Sequence, residues 1–175
     1  YNELSAATRT KAANALLKFA FQQAQDKNWN LNFYEATNNW NQVCNGGLVC
    51  AALASYENNP SEAKDMIEKA LESNKPALEV MYSPDGNYPE GSGYWCYGTL
   101  YQVHAALNST LGTDNGLSDT PGFSKTAEYM LYMTGLNSKF FNYSDCAPSS
   151  TAALASWWFA DKYSNPSLLY NELKM

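Results

Sequence analysis

The spacing of apolar and polar residues predicts two kinds of helix in this chain. Residues 5–25 carry alanine, leucine and phenylalanine at helical spacing, with Ser5 as the N-cap. Residues 37–56 form a second predicted helix that is almost uncharged, and a helix that is apolar on nearly all sides is buried. Residues 61–81 instead place lysines and glutamates opposite alanine, methionine and isoleucine. This is typical of an outer amphipathic helix, with a kink or a restart expected at Pro76.

The second half of the chain continues this contrast. Turn-forming residues dominate positions 82–93, and another uncharged, aromatic-rich helix is predicted over 94–111. The remaining predicted elements are a short helix over 123–133, an extended segment over 139–143 and a last helical pair over 149–162 and 166–174. The alternation of inner and outer helices predicts an all-α fold, in which helical hairpins build an incomplete (α/α) toroid. Residues 1–175 are predicted to form a single domain.

Composition limits the size of the domain and excludes two classes of partner. The 175 residues are 45% hydrophobic and 16% charged, which suits one compact domain with a sizeable core. A net charge of −6 argues against nucleic-acid binding, which normally needs a basic patch. No stretch approaches the roughly 20 apolar residues of a membrane-spanning helix, so no span is predicted. The chain opens without a methionine and closes in a helical run, and we expect an excerpt of a larger multidomain protein.

Aromatic residues and asparagines are frequent, with 13 Tyr, 7 Phe, 5 Trp and 19 Asn. Aromatic rings stack on the apolar faces of sugars, and amides bond hydroxyl groups, so this composition fits a carbohydrate site. The same composition also fits a helical core that is filled with aromatic side chains.

The cysteines and the single histidine predict neither a metal site nor a cofactor. Cys44, Cys50, Cys96 and Cys146 form no C-x-x-C pair, and His104 completes no usual zinc spacing. We expect buried free thiols, although several pairings are formally possible. His104 is interpreted as an ordinary core or surface histidine.

Two polar clusters lie where predicted buried helices begin. The first, residues 38–47, reads NNWNQVCNGG. Its helix N-terminus offers free N–H groups that suit a carboxylate, but capping and close packing at the two glycines would also explain it. The second, residues 85–98, combines Glu90 with tyrosines and a tryptophan on a loop, which would suit a sugar-contacting rim. A tyrosine there can transfer protons when its neighbours shift its pKa from about 10; otherwise these rings are packing residues.

Five short runs resemble the heparinase II/III-like polysaccharide lyases, a group that includes alginate lyases with an α/α toroid followed by β-sandwich domains. The runs are NNWNQVCNGG (38–47), DGNYPEG (85–91), GYW (93–95), LGTD (111–114) and FNYSD (141–145). They cover most of the chain from about residue 38 onward. Their combination is more specific than any single run.

The resemblance implies eliminative cleavage of a uronate-containing polysaccharide. The C5 proton beside the carboxylate is removed, and the 4-linked sugar is expelled. By motif position, Tyr94 would be the catalytic phenol, and Asn38 or Asn39 would neutralise the uronate carboxylate. The expected substrate-binding residues are Trp40, Asn41, Tyr88, Glu90, Trp95 and Tyr97, of which both tryptophans would stack on sugar rings and Glu90 would support the loop.

This chain departs from the family pattern at two points. Some relatives place a histidine directly after the paired asparagines, where this chain has Trp40. A further histidine and part of the groove come from the β-sandwich, so we expect contacts with a C-terminal β-sandwich domain of the same parent chain. An acidic polysaccharide substrate implies a periplasmic or secreted protein. Because only 11 residues are basic, a weakly sulfated substrate is expected.

Two other functions are open at this stage. Trp40 in place of a histidine favours a non-catalytic glycan-binding or scaffold domain. A carboxyl pair such as Asp85 and Glu90 would instead suit an inverting glycoside hydrolase on the same toroid.

Overall fold

The computed structural model describes residues 3–26, 28, 32–82, 84–105 and 116–174, and of residues 104 and 105 it describes the backbone alone. Over these ranges the chain is mainly helical and contains no β-strand, so the prediction of an all-α fold is confirmed for the described part. The helices are α1 (Ala6–Leu16), which continues through a π turn (Leu17–Phe21) into α2 (Gln22–Gln25), then α3 (Asn39–Ser55), α4 (Pro60–Tyr82), α5 (Ser92–Ala105), α6 (Thr126–Tyr132) and α7 (Ala155–Lys162). Short 3₁₀ turns lie at Asn32–Tyr34, Leu117–Asp119, Phe123–Lys125, Pro166–Leu169 and Glu172–Lys174.

The first three predicted helices form close to their expected positions. The Oγ atom of Ser5 accepts a hydrogen bond from the backbone N–H of Thr8 at 3.2 Å, which confirms the N-cap of α1. Asn38 caps α3 in the same way, because its side chain accepts the N–H of Trp40 at 3.1 Å. Pro76 lies inside α4 without ending it, so the predicted restart is wrong.

Helix α3 is the inner helix of this half of the molecule, since it packs against both α4 and α5. Helix α4 buries its apolar stripe and exposes its charged face, as the sequence predicts. Gly98 sets the separation between α3 and α5. A Cβ atom at that position would overlap the side chains of Gln42 and Tyr88, so only a glycine permits this approach.

The C-terminal part is less regular than the sequence predicts. The helix expected from residue 149 begins only at Ala155, and residues 166–174 form two 3₁₀ turns. The predicted extended segment makes isolated bridges, in which Phe140 pairs with Thr134 and Lys139 with Ser149. Ring packing holds this part together. Its central rings belong to Trp95, Phe123, Trp158, Phe159 and Tyr163, which we call the ring core.

All four cysteines are free. Cys96 and Cys146 are buried as predicted, but Cys50 is exposed and Cys44 is half-buried. The prediction of burial is wrong for these two because α3 is not covered on every side. Among the described helices, none is long and apolar enough to cross a membrane.

Candidate functional site

A carboxylate already occupies the N-terminus of α3. The backbone N–H of Asn39 donates to Oε2 of Glu90 at 2.6 Å, and Nδ2 of the same residue donates to Oε1 at 2.7 Å. The positive end of the helix dipole stabilises an anion at this place. Glu90 therefore joins the loop before α5 to the start of α3, which agrees with the supporting role that the resemblance implies for it.

This contact changes the predicted role of Asn39. Its side chain is only 6% exposed, and its amide donates to Glu90. The prediction that Asn39 contacts the uronate directly is wrong for this arrangement, because a protein carboxylate already fills the position. Asn38, by contrast, is exposed at the same helix end and uses its Oδ1 atom for capping.

The residues before α5 alternate between two faces. Tyr88 points inward, is fully buried, and donates its phenol proton to Oε1 of Gln42 at 2.6 Å. Asn87 and Pro89 are exposed on the opposite face. The predicted contact of Tyr88 with substrate is wrong, because its ring is enclosed between α3 and the loop. Burial, together with the neighbouring Tyr82 and Glu90, raises the pKa of Tyr88, so its phenol stays protonated.

Asn41 belongs to a set of buried amides between α3, α4 and α5. It has no exposed surface and donates to the carbonyl of Phe33 at 3.1 Å and to Oγ of Ser73 at 3.0 Å. Asn74 and Gln102 exchange two hydrogen bonds, at 2.8 and 2.6 Å. We call this set the amide seam; its members are Asn41, Gln42, Asn45, Asn74 and Gln102. The predicted contact of Asn41 with substrate is therefore wrong, since its amide satisfies buried groups.

Helix α5 divides its aromatic residues between the core and the surface. Trp95 is fully buried, donates its Nε1–H to Oγ1 of Thr126 at 2.7 Å, and packs on Phe159. It cannot stack on a sugar, so this prediction is wrong. Tyr94 is half-buried. Tyr97 is 47% exposed, and its ring meets that of Tyr101 edge-on at 5.3 Å between centroids.

Five of the predicted site residues remain at the surface around the starts of α3 and α5. Trp40 leaves 64% of its surface exposed. Tyr97 lies near Cys44, one turn after Trp40 on α3; partial burial, Tyr101 and Cys44 together raise the pKa of Tyr97. The five residues are Asn38, Trp40, Glu90, Tyr94 and Tyr97. This group can offer an amide, a carboxylate, two phenols and an indole to a ligand.

An open cleft of about 440 Å³ adjoins this surface at Pro89, the neighbour of Glu90, and no motif predicted it directly. Its lining residues are Asn87, Pro89, Tyr129, Met133, Phe141 and Tyr143. Tyr143 donates its phenol proton to the carbonyl of Tyr88 and accepts that of Tyr129 at 2.7 Å. Burial is the largest cause that raises the pKa of Tyr129. Two of the runs that carry the resemblance, DGNYPEG and FNYSD, contribute lining residues, and they were the available signal for this cleft.

The FNYSD run packs directly against the start of α5. The backbone N–H of Gly93 donates to Sγ of Cys146 at 3.3 Å. Gly91 adopts a positive φ of 88°, and a Cβ atom there would lie 2.7 Å from the Cβ of Cys146. Cys146 directly follows the FNYSD run, and Tyr143 within the run donates to the carbonyl of Tyr88. The runs 38–47, 85–91 and 141–145 therefore meet in space.

Two predictions lie outside the described residues: the run at 111–114 and the side chain of His104. Within the described part, no group of three or more His, Cys, Asp or Glu residues has the arrangement of a metal site. Scans against protein-family models and against curated proteins returned no match.

Proposed function

We propose that this chain is the incomplete (α/α)-toroid part of a heparinase II/III-like polysaccharide lyase that is periplasmic or secreted. The observation that carries the proposal is the meeting of the runs 38–47, 85–91 and 141–145 near the starts of α3 and α5. A shared site requires these runs to lie together, and their contacts meet that requirement.

The elimination reaction requires two proton transfers and the neutralisation of one carboxylate. A base takes the C5 proton, the C4–O4 bond breaks as the C4–C5 double bond forms, and the departing oxygen receives a proton. We assign the uronate carboxylate to the amide of Asn38, because Asn38 is exposed and uses its Oδ1 atom, not its Nδ2 donor, to cap α3. Tyr94, four residues after Glu90, is the phenol proposed to transfer the proton.

Asn39 and Glu90 take a positioning role in this scheme. Their two hydrogen bonds fix the loop that leads into α5 relative to the end of α3 that carries Asn38. Tyr94 follows directly on that loop, so the contact sets its distance from Asn38. The histidine and the remaining wall of the groove are proposed to come from the C-terminal β-sandwich domain.

The test is ultraviolet absorbance of the unsaturated uronate product. The protein in its natural full length is mixed with alginate, polygalacturonate, hyaluronan and heparosan, beside its Tyr94→Phe variant. Tyr56→Phe is the control for loss of a tyrosine hydroxyl away from the site, because Tyr56 is exposed and lies at the other end of α3. We expect absorbance to rise in the unmodified protein and in the control and to vanish in Tyr94→Phe.

The other outcomes separate the parts of the proposal. Absorbance that survives in Tyr94→Phe overturns the assignment of this phenol but keeps the lyase. No rise on any of the four polymers, with the protein folded, counts against the lyase.

Trp40 favours a second candidate, a glycan-binding domain without catalysis. It stands where some relatives have a histidine, and its exposed ring suits stacking on a sugar. In that case Trp40→Ala abolishes glycan binding, and Tyr94→Phe leaves it unchanged. A hydrolase is less favoured, because both carboxylate oxygens of Glu90 accept hydrogen bonds from Asn39 and are held away from the role of a free acid or base.

A further inference from the structure

One short segment of the chain, residues 87–90, separates the cleft from the proposed site. In the segment 87–90, Tyr88 and Glu90 face α3, whereas Asn87 and Pro89 face the cleft. A ligand in the cleft and a ligand at the start of α3 would therefore lie on opposite faces of one extended stretch of chain. A polysaccharide that passes over the edge of this segment can occupy the cleft and the start of α3 at the same time.

Hydrogen bonds hold the cleft in shape. The phenol of Tyr129 donates to that of Tyr143, and Tyr143 donates to the carbonyl of Tyr88. Tyr88 is in turn held by Gln42 in the amide seam. The ring of Tyr143 lies 6.3 Å from that of Phe141 between centroids, with an angle of 38° between their planes. These bonds orient the ring of Tyr143 before any ligand arrives.

The chemistry of the lining selects an uncharged ligand. None of the six lining residues is charged, and the whole chain carries a net charge of −6. A carboxylate or sulfate in this cleft would meet no cation among them. Both phenols donate within the chain, and the raised pKa of Tyr129 keeps its phenol protonated, so the cleft holds no anionic base. One exposed ring and two half-buried rings, beside one amide and phenolic oxygens, match a pyranose ring, which has an apolar face and a rim of hydroxyl groups.

We propose that this cleft is a subsite for an uncharged sugar unit, with Phe141 as its stacking platform. The proposal rests on the proposed function, because it takes the ligand to be part of the same polysaccharide. It implies that the polymer contains uncharged units beside its uronates.

The test measures binding rather than cleavage. Cellotetraose and chitotetraose are titrated into the full chain, with tetragalacturonate as the charged counterpart, while the methyl signal of Met133 is followed by NMR. Met133 lines the cleft, and a Met133→Leu variant identifies its signal. We expect at least one uncharged oligosaccharide to shift the signal, and tetragalacturonate to shift it only at much higher concentration.

A pair of matched variants tests the platform. Phe141 is 66% exposed and Phe19, in the π turn near the N-terminus, is 68% exposed, so each can be replaced with little loss of packing. We expect Phe141→Ala to weaken binding by about five- to tenfold. Phe19→Ala should bind as the unmodified chain does.

Three results overturn the subsite. They are no shift of Met133 with either uncharged oligosaccharide, tighter binding of tetragalacturonate, or equal binding by Phe141→Ala and Phe19→Ala. Failure here is distinguishable from failure of the lyase. Elimination without binding of uncharged sugars keeps the lyase and rejects the subsite, whereas binding without elimination does the reverse.

Discussion

The interior of this molecule is filled in two different ways. Between α3, α4 and α5 the amide seam buries asparagine and glutamine side chains that bond one another and two tyrosines. In the ring core, Phe159 instead meets four other rings and makes no side-chain hydrogen bond. The seam lies between the helices that begin at the proposed site, whereas the ring core, apart from Trp95 on α5, is built from residues 123–163.

The difference shows what each kind of interior contributes. Ring packing supplies much of the stability and tolerates changes of shape, because dispersion and the hydrophobic effect have little direction. Hydrogen-bonded amides contribute less net stability, but they fix distances and orientations, because each lost partner leaves a buried polar group unsatisfied. The proposed site therefore adjoins the kind of interior that fixes the positions of side chains more strictly.

The largest expected effect is in the ring core. Phe159→Ala should lower the free energy of unfolding by about 3–5 kcal/mol, because it removes a buried ring and leaves a cavity. Phe159→Leu should cost less, about 1.5 kcal/mol. Urea denaturation followed by circular dichroism measures both. Equal losses for the two variants would contradict a core that tolerates changes of shape.

Next in size is the amide seam. Asn74→Leu should cost about 2–3 kcal/mol, because the amide groups of Gln102 and Asn41 lose their partner while buried. Gln102→Leu should cost a similar amount. The double variant should cost clearly less than the sum, since both members of the amide pair are then absent. Additive losses in the same denaturation assay would show that the pair does not act as a unit.

Replacement of two glycines by alanine tests the close packing around the amide seam more sharply. Gly98→Ala should destabilise by about 1–3 kcal/mol, because its methyl group would overlap Gln42 and Tyr88. Gly47→Ala, in the interior of α3 with no atom within 4 Å of the added methyl group, should stabilise by about 0.5–1 kcal/mol. Thermal unfolding of the two variants should therefore shift in opposite directions. If the unfolding temperatures of both variants shifted in the same direction, the helix propensity of alanine, and not the close approach of α3 and α5, would determine both changes in stability.

The smallest effect at neutral pH comes from the buried phenols. Burial raises the pKa of Tyr82, and its hydrogen bonds with Thr99 and Gln42 offset this only in part. The folded state therefore keeps a proton that the unfolded chain loses near pH 10. The resulting stability is fully present below about pH 10 and is lost above it, at about 1.4 kcal/mol per pH unit for each such phenol.

This pH dependence can be measured by urea denaturation between about pH 9 and about pH 11. As the pH rises, the free energy of unfolding of Tyr82→Phe should fall less steeply than that of the unmodified chain, although the variant is less stable at the start of this range. Parallel curves would show that Tyr82 does not hold its proton in the folded state.

Local signals in the sequence were sufficient for part of this structure. The start of α3 at Asn38 was predictable because capping depends on residues within one turn. The supporting role of Glu90 came from the resemblance, whereas its place on a loop between helices suggested contact with a sugar. The orientation of Trp95 was not predictable, because α5 has almost no charged residues and its pattern does not reveal which side is buried. Asn41 was misjudged for another reason: its partners Ser73 and Asn74 lie more than thirty residues away.

The two-faced segment 87–90 makes the length of this loop matter more than its composition. Its outward residues, Asn87 and Pro89, can be exchanged without disturbing the inward contacts of Tyr88 and Glu90. Insertion or deletion of one residue would reverse the faces, turning the carboxylate that holds α3 toward the cleft and an outward side chain toward α3. Substitutions can therefore adjust the cleft to a new sugar while the loop keeps its number of residues.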